Sequence, residues 1–223
     1  MRRAVNEDAL LVAPPLLVVA DGVGGRPGGE EASALAVDVL RRRVPAAPAD
    51  PGVALVTALE KAHAAVRHHG RGREVEGMAT TAVAVLVSGR TATVAHVGDS
   101  RAYLWRDRRL SRLTADHSLV AGLPAAGPAE VRPGRPHPLR SVILRAVGLE
   151  GPLGAQTTAV HLRSRDVLLL CSDGLCGALP DSRVTAALLE GGADPGRCAE
   201  RLTAAALAAG GGDDITVVVG CIG

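Results

Sequence analysis

Five apolar stretches in this 223-residue chain each meet a carboxylate at one end. Leu17-Val18-Val19-Ala20 runs into Asp21, Val94-Ala95-His96-Val97-Gly98 into Asp99, and Leu168-Leu169-Leu170-Cys171-Ser172 into Asp173. Asp213 and Asp214 stand just before Ile215-Thr216-Val217-Val218-Val219, and Glu7 and Asp8 just before Leu10-Leu11-Val12. Short continuous apolar runs are the pattern of strands buried on both faces. Glycine sits beside most of these acids, where it lets the backbone turn sharply and a ligand approach closely. One Asp-Gly alone is most simply a turn. Five junctions of the same kind weaken that reading, because strand ends from separate parts of a chain commonly converge on one rim of a sheet.

Carboxylates gathered on one rim repel one another, and burying them unpaired is costly. Hard divalent cations relieve both problems. An oxygen-only donor set, with no clustered His or Cys, points to magnesium or manganese rather than zinc or copper. Two such ions roughly 3.5–4 Å apart can hold a water between them, lower its pKa and clamp an in-line displacement at phosphorus. The residues alone therefore predict metal-assisted phosphoester hydrolysis.

Between the acids, the spacing of Ala32, Leu35, Ala36 and Val39 predicts a helix over Gly29 to Arg43. Pro45 to Pro51 reads as a loop, and Leu55, Leu59, Ala62 and Val66 mark a second helix ending near Gly70. Thr80 to Val87 and Thr91 to Val97, around Ser88-Gly89-Arg90, form a hairpin signal, and Ala102 to Trp105 with Leu110 to Leu113 form another. Gly122 to Pro138 has no sustained period and reads as a loop or flap. Asp166 to Cys171 and Ile215 to Cys221 read as strands, and Asp181 to Glu190 as a short helix. Asp194-Pro195 starts a last helix with an N-cap and a proline at the first helical position. Successive hairpins with paired helices between them suit antiparallel sheets covered by helices better than a doubly wound parallel sheet.

Composition excludes several classes. Net charge is +2, too mild for a polyanion partner, and with one Trp, one Tyr and no Phe the chain lacks platforms for stacking bases. The densest basic run, Arg41 to Arg43, falls at a helix end, where cations suit the dipole. No apolar run approaches the roughly 20 residues of a membrane span. Cys171, Cys176, Cys198 and Cys221 show no zinc spacing and read as buried free thiols in a reducing compartment. His63, His68 and His69 read as solvated. A chain of this length predicts one domain.

The acids and their neighbours resemble the metal-dependent Ser/Thr protein phosphatases of the type 2C, or PPM, family, nearly end to end. Arg3-Ala4-Val5-Asn6-Glu7-Asp8 is similar to its Arg-x-x-Asn-Glu-Asp opening, and Asp21-Gly22-Val23-Gly24-Gly25 to its Asp-Gly-x-Gly-Gly. Gly77 to Thr81, Val97-Gly98-Asp99-Ser100-Arg101, Thr114-Ala115-Asp116-His117 and Leu144 to Gly148 follow in the family's order. Ser172-Asp173-Gly174 and Gly212-Asp213-Asp214-Ile215-Thr216 complete the set. Each motif is weak alone; the ordered series is highly specific.

The resemblance implies an α+β fold: a four-layer α-β-β-α sandwich of two mostly antiparallel sheets flanked by helices, with a dinuclear metal site at one edge. It implies a single catalytic domain over 1–223 and hydrolysis of phosphoserine and phosphothreonine on proteins by a metal-bridged hydroxide. The cofactors implied are two Mn2+ or Mg2+ ions, with a weaker third. Carried over by position, Asp21 bridges the two ions and the Gly22 carbonyl joins one of them. Asp173 and Asp213 bind the second. Glu7 and Asp8 hold its waters or bind directly, and Asp99 with Asp173 holds the third. Arg3 grips the substrate phosphate, a role suited to a guanidinium fork. His117 takes a hydrogen-bonding role. The expected partners are phosphoproteins made by a bacterial Ser/Thr kinase, without nucleic acid or a membrane segment, and the expected state is a cytoplasmic monomer.

Three departures follow. Val23 stands where many eukaryotic members carry a His proposed as general acid, so a water is left to protonate the leaving group. Asp214 replaces the usual Asn, and either strengthens the metal site or faces outward. Arg3 is nearly terminal, where the family has about ten further residues, which predicts a truncated or misassigned start and a missing first strand. Two alternatives remain beside the main reading: a phosphatase of an anti-anti-sigma regulator, and a pseudophosphatase that binds phosphoproteins without turnover.

Overall fold

The computed structural model of the chain describes residues 5–73, 75, 77–119, 121 and 142–223. Arg3 and the flap expected over Gly122 to Pro138 lie outside the described residues. The elements run β1 (Asp8–Ala13), β2 (Leu16–Asp21), α1 (Gly29–Arg43), α2 (Pro51–Gly72), β3 (Ala82–Ser88), β4 (Thr91–Val97), β5 (Arg101–Arg106) and β6 (Arg109–Arg112). They continue with β7 (Gln156–His161), β8 (Val167–Cys171), α3 (Asp173–Ala178), α4 (Asp181–Gly191), α5 (Pro195–Ala208) and β9 (Val217–Cys221). One sheet has the order β1-β2-β3-β4-β7 and the other β6-β5-β8-β9. Every named strand pair is antiparallel.

Strand alternation builds the layers. In β2, Leu16, Val18 and Ala20 pack toward α1 and α2, while Leu17 and Val19 pack between the sheets. In β8, Leu168 and Leu170 face the same inter-sheet core, while Val167, Leu169 and Cys171 pack against α3, α4 and α5. Both faces of these strands are covered, which is why their sequences are apolar without a break. The result is the helix–sheet–sheet–helix sandwich expected from the family resemblance, with three apolar layers between four structural ones.

Local signals explain the helix ends. Glu30 and Glu31 occupy the first turn of α1 and Arg41, Arg42 and Arg43 its last, each matching the dipole. Arg41 and Arg42 both pair with Asp38, so this basic run is a solvated helix end. Asp50 caps α2 by accepting from Val53 N at 3.0 Å, with Pro51 following. The helix therefore starts at Pro51, earlier than its apolar period suggests. Asp194 caps α5 in the same way, accepting from Gly196 N and Arg197 N.

Two elements differ from the sequence expectation. β7 is an edge strand whose side chains are mostly exposed, so no apolar alternation betrays it. α3 is six residues long, too short to show a helical period. Three of the cysteines are buried as expected and Cys221 is half-buried; all four are free thiols.

Candidate active site

The sheet order brings the acids to one edge. Asp8 opens β1 and lies opposite Asp21, the last residue of β2. β4 runs out through Gly98 to Asp99, and β8 through Ser172 to Asp173, the first residue of α3. Asp21, Asp99, Asp173 and Asp213 then line one cleft of about 250 Å3, with Gly22, Val23, Gly24 and Ile143 as its other walls. Asp8 and Glu7 stand beside this lining. The Glu7 carboxylate lies against the start of α1, where a Cβ added to Gly29 would come 2.9 Å from Glu7 Oε1.

A polar scaffold fixes Asp21. Its backbone N–H donates to Thr81 Oγ1 at 3.1 Å, and its carbonyl accepts from Thr80 Oγ1 and Thr81 N, each at 2.8 Å. Thr81 Oγ1 in turn meets Ser100 Oγ at 2.6 Å, tying the Asp21 strand end to the loop that carries Asp99. His117 reads that loop from the other side: its backbone N–H donates to Gly98 O at 2.9 Å, and its Nδ1 accepts from Gly98 N at 3.3 Å. The His117 ring stacks on His96 with centroids 4.7 Å apart. Arg101 forks onto Asp116 at 3.0 and 2.7 Å just behind Ser100.

The structure gives Asp214 a definite task. Its Oδ2 accepts from Glu7 N at 2.9 Å, bridging positions 207 residues apart. The Asp213–Asp214 loop therefore anchors the segment that carries Glu7 and Asp8. Ser172 Oγ holds that loop as well, donating to Asp214 O at 3.3 Å and accepting from Thr216 N at 2.9 Å. Ser172 is a structural hydroxyl, as the lack of a His and Asp partner in the sequence implies. Among the histidines, His63 corrects the solvated reading: its Nδ1 accepts from Gly148 N at 3.1 Å. His69 Nε2 meets Glu31 at 2.8 Å.

The cleft is electrostatically short of positive charge. Burial, then the charges of Asp173, Asp8 and Asp99, hold the Asp21 carboxyl well above the usual carboxylate range. Burial, with Asp173 and Asp116 behind it, pushes Asp99 up to about 7. Burial also raises Asp8, opposed by the nearby Thr216 and Ser172 hydroxyls. Both Asp8 carboxylate oxygens and Asp99 Oδ1 are shielded from water without a well-formed hydrogen bond among the described residues. Among those residues no three His, Cys, Asp or Glu side chains already close on a single point; the acids ring the cleft instead. Orphaned carboxylate oxygens around a small cavity fit hard divalent cations, whose ligands are oxygens.

A pH dependence follows with a definite sign. A folded carboxyl raised to about 7 keeps a proton that the unfolded chain releases near the ordinary value of 3.8. Its stabilising contribution is present at low pH and is lost as pH rises toward 7. In chelator, the Asp99→Asn variant is therefore expected to gain stability over the wild type between pH 5 and pH 8. Urea midpoints of both proteins across that range check it, and a constant difference would contradict it.

A helix-covered double sheet with an oxygen-lined cleft at its edge defines a scaffold suited to hard divalent cations. A family model described as protein phosphatase 2C matches residues 2–208, and the chain belongs to that family. It is 36% identical over 220 residues to the serine/threonine protein phosphatase PstP of Mycobacterium tuberculosis, covering 97% of this chain. The chain spans 42% of the length of that curated relative. Among solved structures, PppA of Pseudomonas aeruginosa superposes with a TM-score of 0.86 at 37% identity, covering 98% of this chain and 92% of that one. A PstP catalytic domain in complex with two manganese ions superposes with a TM-score of 0.84 at 35% identity, covering 97% and 91%.

Proposed function

We propose that this chain is a metal-dependent phosphatase that acts on phosphoserine and phosphothreonine in proteins, with residues 1–223 as one catalytic domain. The observation that carries the reading is the convergence of Asp21, Asp99, Asp173 and Asp213 on one cleft whose buried acids are biased toward protonation. Family membership and the phosphatase names of the relatives support it. Two manganese or magnesium ions, with a weaker third, would supply an activated water and positive charge for in-line displacement at phosphorus.

The chain's own residues would then divide the work. Asp21 and the Gly22 carbonyl would hold the ion pair from the end of β2. Asp173 and Asp213 would hold its far side, and Asp99 with Asp173 the third position. Glu7 and Asp8 would orient waters from behind, kept in place by the Asp214 bond to Glu7 N. Arg3 would fork onto the substrate phosphate. Val23 has no proton to give, so water would protonate the departing alkoxide. The substrates would be proteins phosphorylated by a bacterial Ser/Thr kinase in the cytoplasm, met by a monomer. Among the described residues no helix is long and apolar enough to cross a membrane.

The test is hydrolysis of an aryl phosphate and a phosphothreonine peptide with manganese, with magnesium and with chelator. Turnover of both substrates with either ion, lost in chelator and restored by returning the ion, is the expected result. Folded protein that shows no metal-dependent turnover would eliminate the enzyme reading in favour of the pseudophosphatase alternative.

A further inference from the structure

Beside the catalytic cleft lies a second and larger cavity, of about 720 Å3. The later turns of α2, Val75, Gly77 and Met78, and the turn at Gly148 to Glu150 form its walls, and Arg26 closes one side. The two cavities share a partition. The end of β2 and the loop after it contribute Asp21 to Gly24 to the catalytic cleft, and the same loop contributes Arg26 to the second cavity. That loop is pinned to the opposite wall by Val23 N donating to Ala79 O at 3.0 Å and by Arg26 Nη1 donating to Gly77 O at 3.3 Å. Gly77 has φ +81°, and a Cβ there would stand 2.6 Å from Arg26 Nη1. Glycine at this position therefore makes the room in which the guanidinium lies.

The lining is amphipathic. Val66 and Met78 are buried and form an apolar floor. Above it stand Arg26, Arg67 and Arg71, against one described acid, Glu150. Glu74 and Glu76 lie outside the described residues. Arg67 and Arg71 are one turn apart on α2, so they share a face. Neither forms an ion pair with a described residue. Arg71, in the last turn of α2, suits the helix dipole, but that does not account for Arg67 or Arg26. Guanidinium groups that form no ion pair among the described residues, set around a concave surface, match the bidentate geometry of carboxylate and phosphate.

We propose that this cavity docks an acidic or second phosphorylated side chain of a protein substrate, flanking the phosphorylated residue that enters the catalytic cleft. The proposal rests on the phosphatase reading for its substrate, and its test separates the two. Two phosphothreonine peptides are compared, identical except that the flanks carry glutamates in one and glutamines in the other. The wild type is expected to favour the glutamate peptide about tenfold in kcat/KM, mainly through KM, and less so at high salt. Arg67→Gln/Arg71→Gln should lose most of that preference, and Arg71→Gln alone, at an exposed position, part of it. Fluorescence anisotropy of the labelled glutamate peptide on chelated protein should show the same loss without turnover.

Equal handling of both peptides by the wild type, or a preference retained in the double variant, would overturn the docking site and leave the phosphatase reading standing. Arginine-dependent binding of the glutamate peptide with no turnover under any metal condition would uphold the site and overturn the phosphatase reading.

Discussion

Asp21→Asn is expected to reduce metal-dependent turnover by about a thousandfold or more, equivalent to about 4 kcal/mol of barrier. The substitution keeps the shape of the side chain. The backbone of Asp21 is held independently by Thr80 and Thr81, so the strand end has no reason to move. What changes is charge. Asp21 is the carboxylate on which the fields of Asp173, Asp8 and Asp99 all act, and an amide there removes the central anion of the cleft. Stability provides a second readout with the opposite sign. In chelator the variant should be at least as stable as the wild type, because a buried carboxylate repelled by its neighbours has gone. With manganese the wild type should gain thermal stability and the variant little, since only a binder of the folded state stabilises it. Asp99→Asn should be milder in turnover, because the proposed role of Asp99 is confined to the weaker third position. Undiminished turnover by Asp21→Asn would remove Asp21 from the centre of the site.

The parts of the fold that sequence reveals are those whose burial repeats along the chain. β2 and β8 are covered on both faces, so Leu16 to Ala20 and Val167 to Cys171 are apolar without interruption. The ends of α1 and α5 are legible from charge and from Asp194-Pro195. β7 is invisible because it joins the sheet through its backbone to β4 while its side chains face solvent. The acids of the site could be listed as strand-end residues, but their meeting depends on sheet order, which no local pattern encodes. Asp214 is the clearest case. Its partner is the amide of Glu7, 207 positions away, and a backbone donor leaves no residue type to notice. Ile143 in the cleft wall carries no signal for the same reason: it is placed by an isolated antiparallel bridge to Ser118, not by its own sequence neighbours.

Gly174→Ala should damage both stability and turnover, although it adds one methyl group and touches no proposed ligand. Gly174 follows Asp173 in the first turn of α3, and a Cβ there would come 1.9 Å from Asp214 O and 2.8 Å from Asp214 C. Both are backbone atoms, so relief requires α3 to move, or the Asp213–Asp214 loop, or both. Either displacement shifts a carboxylate of the cleft, and movement of the loop also strains the Asp214 bond to Glu7 N. Overpacking of this kind costs about 1–3 kcal/mol. A misplacement of about 1 Å at a reacting centre lowers turnover by about a hundredfold. Gly177→Ala is the matched comparison. It lies in the same short helix with nothing within 4 Å of its added Cβ, and alanine there should be neutral or stabilising. Urea midpoints, manganese titrations and kcat for the two variants separate the effects. Gly174→Ala should show a lower midpoint, weaker manganese activation and reduced kcat, whereas Gly177→Ala should track the wild type. If the two variants behaved alike, the close packing of α3 on the Asp213–Asp214 loop would not be what sets the geometry of the cleft.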